Sequence, residues 1–443
     1  MKNLILKIVQ SSGAKIYAML LGVITLSITA HYLGPHGRGV IATVTTWAYL
    51  VAQAGNLSFH SVAYYQAGDK RKTGWLSETL GTFFTHTLIV TIISWILIGT
   101  LYAASELWGG ISVFKGIPLF ALLIGLVLIP FLIMEPYMEA LLSIENRLNS
   151  FNKSNMTGST VNVLLIIALV VISGFGILSV LFSKLIWLSI TITGSLRKLF
   201  SQLKTPLRFN PKQYKMMTTH GAKMHLNIMG ALMVTNIDIV MVNSYLGADQ
   251  TGIYQLAVQF VDMMMIISYA AMTVLQGEAS RRGVHGVWPF QKKIIFLTTG
   301  ALVIATVVLS YTAKWWLIWF AGEQFAPSVG IFQMLVLSVI PFTLKAIMMS
   351  VQWIARGWFL QLSLFSILMG VVNIGLNAYL IPKFGVYGAV AATLLTATLV
   401  FLMNVIAFLY VEYDVERNIH NADLQQENDN ENTDSPIVYP DSR

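Results

Sequence analysis

The sequence predicts an all-α integral membrane protein with twelve transmembrane helices in two six-helix lobes. Of its 443 residues, 56% are hydrophobic and only 11% are charged, whereas ordinary globular proteins carry about 25% charged residues. Long apolar stretches also recur between polar or Gly/Pro breaks, each close to the roughly 20 residues that a spanning helix needs. The chain has no cysteine, which excludes disulfides, thiol catalysis and cysteine metal sites.

The breaks divide the chain into twelve candidate spans. After the last span the sequence turns acidic and rich in Asn and Gln, so residues 412–443 are predicted to form a disordered tail. The spans cover roughly residues 13–33, 38–65, 78–103, 117–143, 154–174, 178–200, 222–246, 250–277, 291–313, 327–354, 360–381 and 386–411.

The basic residues predict the orientation of these spans. Lys and Arg are retained on the cytoplasmic side of membrane proteins. With the N-terminus inside, 22 of the 28 Lys and Arg fall in cytoplasmic segments, and only four, Arg38 among them, fall in outer loops. Both termini are therefore expected to be cytoplasmic. The net charge of +8 then reflects topology, and no nucleic-acid partner is expected.

The sequence contains an internal repeat. Three short sequence motifs recur in the same order at nearly constant offsets of 213, 211 and 209 residues. Each copy of the repeat contains six spans, and because six is an even number both copies have the same orientation in the membrane. The pairs are YLGPHGRG at 32–39 with YLGADQTG at 245–252, IPF at 129–131 with IPF at 340–342, and FG at 175–176 with FG at 384–385.

This repeat predicts the domain organisation. Residues 1–200 form an N-lobe and residues 222–411 a C-lobe, joined by a basic cytoplasmic linker at 201–221 and followed by the tail at 412–443. A parallel repeat about an axis along the membrane normal places a substrate path between the halves, near the bilayer midplane.

The turn motifs resemble a known family. LGPHGRG after span 1, LGADQTGIY after span 7 and FGVYGA at the start of span 12 resemble the Wzx-type polysaccharide-transport flippases of the multidrug/oligosaccharidyl-lipid/polysaccharide (MOP) exporter superfamily. The resemblance implies alternating access that moves undecaprenyl-pyrophosphate-linked oligosaccharides, such as O-antigen units, to the outer leaflet of the bacterial cytoplasmic (inner) membrane. It implies membrane lipids and glycan polymerase or assembly proteins as partners.

Polar residues at helical spacing in the repeat-equivalent spans 1, 2, 7 and 8 predict the substrate pathway, because polar groups within spans usually face a bundle interior or a watery cavity. Lys15 is the only candidate cation in spans 1 and 2 once Arg38 is assigned to a loop. The alternative is that these groups satisfy one another in helix packing and that Lys15 and Lys223 are topological anchors. The candidates are Lys15, Thr25, Thr29, Gln53, Asn56, His60, Lys223, His225, Gln255, Gln259, Asp262 and Lys345.

A second set of polar residues predicts a coupling-ion site in the C-lobe. One carboxylate with amide and hydroxyl oxygens suits Na⁺, or the carboxylate carries a proton. The resemblance implies the same coupling through polar residues of this lobe; no other cofactor is expected. The alternative is a structural Asp held by the two Asn amides. The residues are Asp238, Asn373, Asn377, Thr393 and Thr396.

Two other functions remain open at this point. A MATE-like multidrug or cation antiporter would share the architecture. A membrane glycan polymerase or ligase is more remote, because the longest outer loops, at about 104–116 and 314–326, are short and no known catalytic motif is present. The chain is therefore expected to be a transporter and not an enzyme.

The topology can be tested by cysteine labelling, since the chain has no native cysteine. Arg71→Cys and Arg281→Cys should react only with a membrane-permeant reagent, and Lys314→Cys should react with an impermeant one. Labelling of position 71 or 281 from outside would contradict the topology. The segments predicted inside are 69–77, 278–291 and 412–443, and those predicted outside are 34–38, 105–116 and 314–326.

Overall fold

The described part of the chain is built from α-helices. The computed structural model describes the backbone of residues 2–66, 74–108 and 113–433, and side chains over these ranges apart from 2–12, 15, 224 and 419–433. In that part of the chain the helices are α1 (Lys2–Asn56), α2 (Phe59–Tyr65), α3 (Trp75–Trp108), α4 (Leu119–Ile144), α5 (Leu148–Ile166), α6 (Ile177–Phe200), α7 (Pro211–Thr235), α8 (Ile237–Leu246), α9 (Ala248–Gly286), α10 (Trp288–Ala321), α11 (Pro327–Leu335), α12 (Val339–Leu344), α13 (Ser350–Ala355), α14 (Phe359–Phe384) and α15 (Val386–Thr433).

Eleven apolar segments of the described chain are long enough to cross a membrane. The first, Ile16–Tyr65, has 50 residues, more than twice the length of one crossing, and contains predicted spans 1 and 2. The break between these spans is at Gly34, whose φ of 64° and ψ of −172° are not helical. A positive φ is readily adopted only by glycine. The twelve-helix architecture is thus confirmed, with spans 1 and 2 joined directly through this break.

Several predicted spans are interrupted, among them span 2, between Asn56 and Phe59, and spans 7 and 10. Span 7 is divided at Asn236 into α7 and α8, and the side-chain amide of Asn236 donates to the Thr235 hydroxyl at 2.7 Å. Such short polar side chains compete with helical hydrogen bonds. Span 10 is divided into α11, α12 and α13 by a 3₁₀ turn and a π turn, near Pro341, which lacks the N–H that a regular helix requires.

One compact unit comprises residues 1–261, 308–336 and 363–394. Its core is formed mainly by apolar side chains of α1, α3, α4 and α6. Tyr137 is fully buried, stacks on Phe83 with ring centroids 4.3 Å apart, and donates to the carbonyl of Asn56 at 2.8 Å. This bond satisfies a hydroxyl that would be costly to bury alone.

Within this unit the two repeated phrases contact each other. A Cβ at Gly39 would overlap the backbone of Ala248, and a Cβ at Gly252 would overlap the backbone of Pro35. In the repeat, position 39 corresponds to 252 and position 35 to 248, so the two overlaps are equivalent. We name residues 32–39 and 245–252 the first and second repeat turns. Their contact is self-complementary, as across a two-fold axis.

The other compact unit comprises residues 262–307, 337–362 and 395–443. Buried apolar residues of α9 and α13, together with Ile347, form its core. Glu412 accepts from Trp288 Nε1 at 2.6 Å and from Lys292 Nζ at 2.7 Å. Asp414 accepts from Arg356 Nη2 at 2.7 Å.

The structure corrects the predicted tail. Helix α15 continues to Thr433, 22 residues past the predicted end of span 12. Two physical reasons account for this: residues 389–433 contain neither Gly nor Pro, the strongest helix breakers, and the ion pairs of Glu412 and Asp414 anchor the segment. Residues 434–443 lie outside the described residues.

The structure also changes the predicted boundaries between lobes. Helix α7 begins at Pro211, and the Asn210 side chain accepts from the backbone N–H groups of Lys212 and Gln213, a favourable N-terminal cap. The non-helical connection between α6 and α7 is therefore residues 201–210, within the predicted linker 201–221. The compact units divide the chain differently from the predicted lobes 1–200 and 222–411, since residues 222–261, 308–336 and 363–394 belong to the first unit.

The glycine contact can be tested with Gly252→Val. The added side chain would meet backbone that cannot rotate away, and such overpacking costs about 1–3 kcal/mol. Disulfide formation between His36→Cys and Asp249→Cys, whose native side chains are 3.2 Å apart, should fall about tenfold. Gly99→Val is the control, because nothing lies within 4 Å of a Cβ at Gly99. Equal cross-linking in both variants would show that the contact does not hold the turns together.

Candidate functional site

Arg38 is the buried cation of the first unit. It lies just after the break in α1, in a helix and not in an outer loop as predicted, and is 6% exposed. Its Nη1 donates to the Thr29 hydroxyl at 3.1 Å. Its Nη2 donates to the side-chain oxygens of Gln255 at 2.6 Å and Gln259 at 3.0 Å. The network therefore joins both sides of the α1 break to α9, the equivalent region of the second repeat.

The charge of Arg38 has only neutral hydrogen-bond acceptors. Among the described residues no carboxylate bonds to it, and its buried Nε has no partner. A buried cation is costly unless an anion or several hydrogen bonds compensate it. A guanidinium is also the side chain best shaped to hold a phosphate oxygen pair. The site can therefore accept an anionic group in exchange for the glutamine oxygens.

A second polar group connects the end of α1 to α7. His225 is 5% exposed; its Nδ1 is 3.0 Å from the Ser58 hydroxyl and its Nε2 is 3.1 Å from the carbonyl of Ala54. His60 Nδ1 is 3.2 Å from Asn56 Oδ1. Both ring nitrogens of His225 are thus engaged in helix packing, which is the alternative that the sequence left open for this residue.

The remaining pathway candidates are not brought together. Thr25 has a buried hydroxyl oxygen without a partner among the described residues. Gln53 is half-buried, while Lys223 and Asp262 are exposed. Lys345 is half-buried on the π turn Lys345–Met349. Asp262 and Lys345 belong to the second compact unit, and the Lys15 side chain lies outside the described residues.

Asp238, the predicted ion ligand, is buried at the start of α8. It is 4% exposed and follows directly on the break of span 7. The Tyr254 hydroxyl donates to Oδ2 at 2.6 Å, and the backbone N–H of Ile239 donates to Oδ1 at 2.8 Å. Among the described contacts, the donors to Asp238 are therefore the Tyr254 hydroxyl and the backbone N–H of Ile239. Tyr254 was missed because a Tyr in an apolar span gives no sequence signal for this contact.

Asn373 and Asn377 form a fully buried pair on α14. The Asn377 amide donates to the backbone carbonyl of Asn373 at 2.9 Å and to its Oδ1 at 3.0 Å. This leaves Asn377 Oδ1, and likewise the Thr393 hydroxyl oxygen, buried without a donor in the described part of the chain. Buried oxygens without a donor are rare in proteins and are suited to a cation ligand.

Close packing joins α7 to α14 on the N-terminal side of the break at Asn236. Gly230 of α7 approaches Ser366 of α14, and Met233 approaches Gly370. Asp238 and the Asn373–Asn377 pair thus lie on the C-terminal continuations of two helices that pack closely. Thr396 is also fully buried but belongs to the second compact unit.

Arg38 is the main residue that the sequence analysis missed. The Gly-Pro pair before it predicted a loop, and the positive-inside count then treated it as one of four outer charges. Its position nine residues after Thr29 was a signal, but the break at Gly34 removes the helical periodicity that would relate the two residues.

Comparison with solved structures shows the fold of MOP-superfamily proteins. An inward-closed structure of the lipid II flippase MurJ matches with a TM-score of 0.71 and 16% identity, over 97% of this chain and 93% of that chain. An inward-facing multidrug resistance MATE family transporter matches with a TM-score of 0.69 and 15% identity, over 89% and 96%. A MOP transporter from Pyrococcus furiosus matches with a TM-score of 0.55 and 14% identity, over 92% and 93%.

Sequence comparison identifies the family. No curated protein matches the chain. The profile of the family described as "Polysaccharide biosynthesis protein" matches residues 6–276, which is more than half of the chain and includes both repeat turns. The chain therefore belongs to the polysaccharide biosynthesis protein family, and its twelve-helix fold is that of the MOP superfamily.

Proposed function

We propose that this protein is a flippase that moves undecaprenyl-pyrophosphate-linked oligosaccharides from the cytoplasmic to the outer leaflet by alternating access. The observation that carries the proposal is Arg38, a buried guanidinium that among the described residues bonds only to neutral oxygens. Membership of a polysaccharide biosynthesis family supports a glycan cargo. A pyrophosphate needs a cation of this kind within the transport path.

The Arg38 network provides a way for the cargo to act on the protein. Gln255 and Gln259 belong to the second repeat and Arg38 to the first, close to the packed glycines of the repeat turns. A pyrophosphate that reaches Arg38 competes with the glutamine oxygens for the same donors. Because a ligand shifts a conformational equilibrium only through its differential affinity, this competition favours states in which the turns separate.

Asp238, Asn373, Asn377 and Thr393 would hold the coupling ion. The supporting features are the break of span 7 beside Asp238 and the oxygens of Asn377 and Thr393 that have no donor among the described residues. Broken membrane helices commonly form ion sites. The ion is either Na⁺, bound by these oxygens, or a proton carried by Asp238, whose Tyr254 partner would then turn towards another acceptor. Thr396 remains a proposed ligand on sequence grounds alone.

A multidrug or cation antiporter is the second candidate. The favouring observation is the inward-facing MATE transporter, whose TM-score of 0.69 is close to that of the lipid II flippase. The buried positive charge of Arg38 disfavours this reading, since organic cations would be repelled from a network that an anion would complete.

The cell context follows from the proposed cargo. The protein would lie in the bacterial cytoplasmic membrane and work beside the polymerase or assembly proteins that receive the translocated glycan. The cargo would reach it from the cytoplasmic leaflet, where the lipid-linked unit is completed.

Complementation tests the function. Expression in a flippase-null strain should restore surface glycan, and Arg38→Gln should reduce the rate by about 10-fold to 100-fold, because charge-assisted hydrogen bonds contribute about 1.5–3 kcal/mol. Arg38→Lys should retain more activity, since it keeps the charge but loses the planar fork. Lys314→Gln, an exposed residue, is the control. Dye efflux without glycan rescue would favour the antiporter, and full activity of Arg38→Gln at equal expression would remove Arg38 from the path.

Asp238→Asn tests ion coupling. The amide keeps the size of the side chain but neither attracts Na⁺ as strongly nor carries a proton, so transport should lose its response to the Na⁺ and proton gradients. Asn377→Ala should raise the Na⁺ concentration needed if Na⁺ is the ion. Glu416→Gln, at an exposed carboxylate outside both repeat turns, is the control. Unchanged gradient dependence in Asp238→Asn vesicles would contradict the assignment.

A further inference from the structure

A polar groove lies between α5 and α6, away from the sites described above. Its cavity volume is about 470 Å³. It lies near the beginning of α5 and the end of α6, so two antiparallel helices contribute to one concave surface. The lining residues that carry charge or hydroxyl groups are Lys153, Ser154, Thr157, Ser189, Thr193 and Arg197.

The cations of the groove are exposed and have no carboxylate partner. No ion pair is present for Lys153 or Arg197 among the described residues, and both side chains are exposed. Thr157 donates to the Lys153 carbonyl at 2.9 Å. The hydroxyls of Ser189 and Thr193 bond to no described protein atom. The groove thus presents two positive charges together with unused hydroxyl donors.

Close packing of the helices fixes the floor of the groove. A Cβ at Gly194 would overlap the Ser154 side chain, and a Cβ at Gly158 would meet Trp187. The two backbones therefore approach closely through small residues, as is common between membrane helices. Because the helices cannot slide freely, Lys153 and Arg197 are held on opposite sides of one cleft before any ligand binds.

Beyond the groove the same surface becomes apolar. Leu164 of α5 is 59% exposed, and Phe182 and Leu178 of α6 are 50% and 44% exposed. At 1.5 Å per residue, Arg197 and Phe182 are about 22 Å apart along α6, which is comparable to the length of an acyl chain. The surface thus has a polar head and an apolar continuation, the same arrangement as in a phospholipid.

The groove faces away from the Arg38 network. Leu188 of α6 is buried in the core of the first unit, and Ile186, Ile190 and Thr193 are about 140–160° around the helix from it, at 100° per residue. The cargo path proposed around Arg38 therefore does not pass through the groove. The exposed apolar row makes the surrounding bilayer the source of its ligand.

We propose that this groove binds the headgroup phosphate of an anionic glycerophospholipid, with the acyl chains along Leu164 and Phe182. If Lys153 and Arg197 only fixed the orientation of the chain in the membrane, their two positive charges would be sufficient. The hydroxyls of Ser189 and Thr193 and the concave surface between the helices add what is needed to hold a phosphate, and basic pockets between membrane helices on the cytoplasmic side are known to recognise anionic headgroups. The expected orientation of the chain puts the groove on that side.

Lipid retention by the purified full-length protein tests the proposal without any transport assay, so its outcome is independent of the proposed function. Delipidated protein in a non-ionic detergent is titrated with phosphatidylglycerol or phosphatidylcholine and examined by native mass spectrometry. Wild type should retain phosphatidylglycerol selectively. Lys153→Ala/Arg197→Ala should bind it about 30-fold more weakly. Each basic residue near an anionic lipid contributes about 1 kcal/mol of binding free energy, and this variant removes two such residues.

Three variants separate a lipid site from a general charge effect. Lys198→Ala/Lys204→Ala, which removes two nearby cations outside the lining, should bind as wild type. Lys153→Arg/Arg197→Lys should also bind, because the charges are kept. Thr193→Trp should lose the lipid although both cations remain, since the indole fills the cleft.

Several results would overturn the proposal. These are equal retention by wild type and Lys153→Ala/Arg197→Ala, equal binding of phosphatidylcholine, or loss of binding in Lys198→Ala/Lys204→Ala to the same extent. Full competition by soluble glycerol 1-phosphate would show a free-phosphate site, and stronger retention of undecaprenyl pyrophosphate than of phosphatidylglycerol would show a cargo entry site. If Lys153→Ala/Arg197→Ala does not fold, the test is the comparison of lipid retention between Thr193→Trp and wild type, and equal retention would overturn the proposal.

Discussion

The contact between the two repeat turns is the constraint on which the first compact unit depends. Gly39 packs on Ala248 and Gly252 packs on Pro35, and no larger side chain fits at either glycine. These paired contacts set the distance between α1 and α9. At this distance Arg38 can reach Gln255 and Gln259. The two copies of the repeated motif therefore form the two halves of one interface, because each copy supplies the small residue against which the other copy packs.

The same region also concentrates the features that a transporter needs. A tight contact between small residues forms and separates without leaving large side chains without partners, whereas a buried guanidinium responds strongly to charge. The glycine contact of the repeat turns and the Arg38 network therefore form one interface whose fit depends on small residues and whose stability depends on charge. Asp238 lies at the start of α8, which ends at the second repeat turn. An ion at the proposed site would thus be connected through the ten residues of α8 to the same contact.

The fold was largely predictable from the sequence, and the functional groups were only partly so. The length of the apolar segments identifies membrane helices because the bilayer thickness sets the length of a span. The distribution of Lys and Arg predicts the orientation because these residues are retained in cytoplasmic loops. The predicted Thr29, Gln255 and Gln259 do meet, but around Arg38, which the same rules had assigned to a loop. The helical extension of residues 412–433 was missed for a related reason: Glu412 and Asp414 look like a solvated tail until their partners Lys292 and Arg356 are known.

The sequence by itself determined the number of membrane helices, the parallel internal repeat and the positions of the two repeat turns, because these depend on hydropathy, chain periodicity and the conformational freedom of glycine. Only the tertiary structure decided which polar side chains share a site. Arg38 and Gln255 are 217 residues apart in the chain, and Asp238 finds its donor in Tyr254 across a helix break. Such partnerships depend on helix packing and register, and a local sequence pattern contains no information about either.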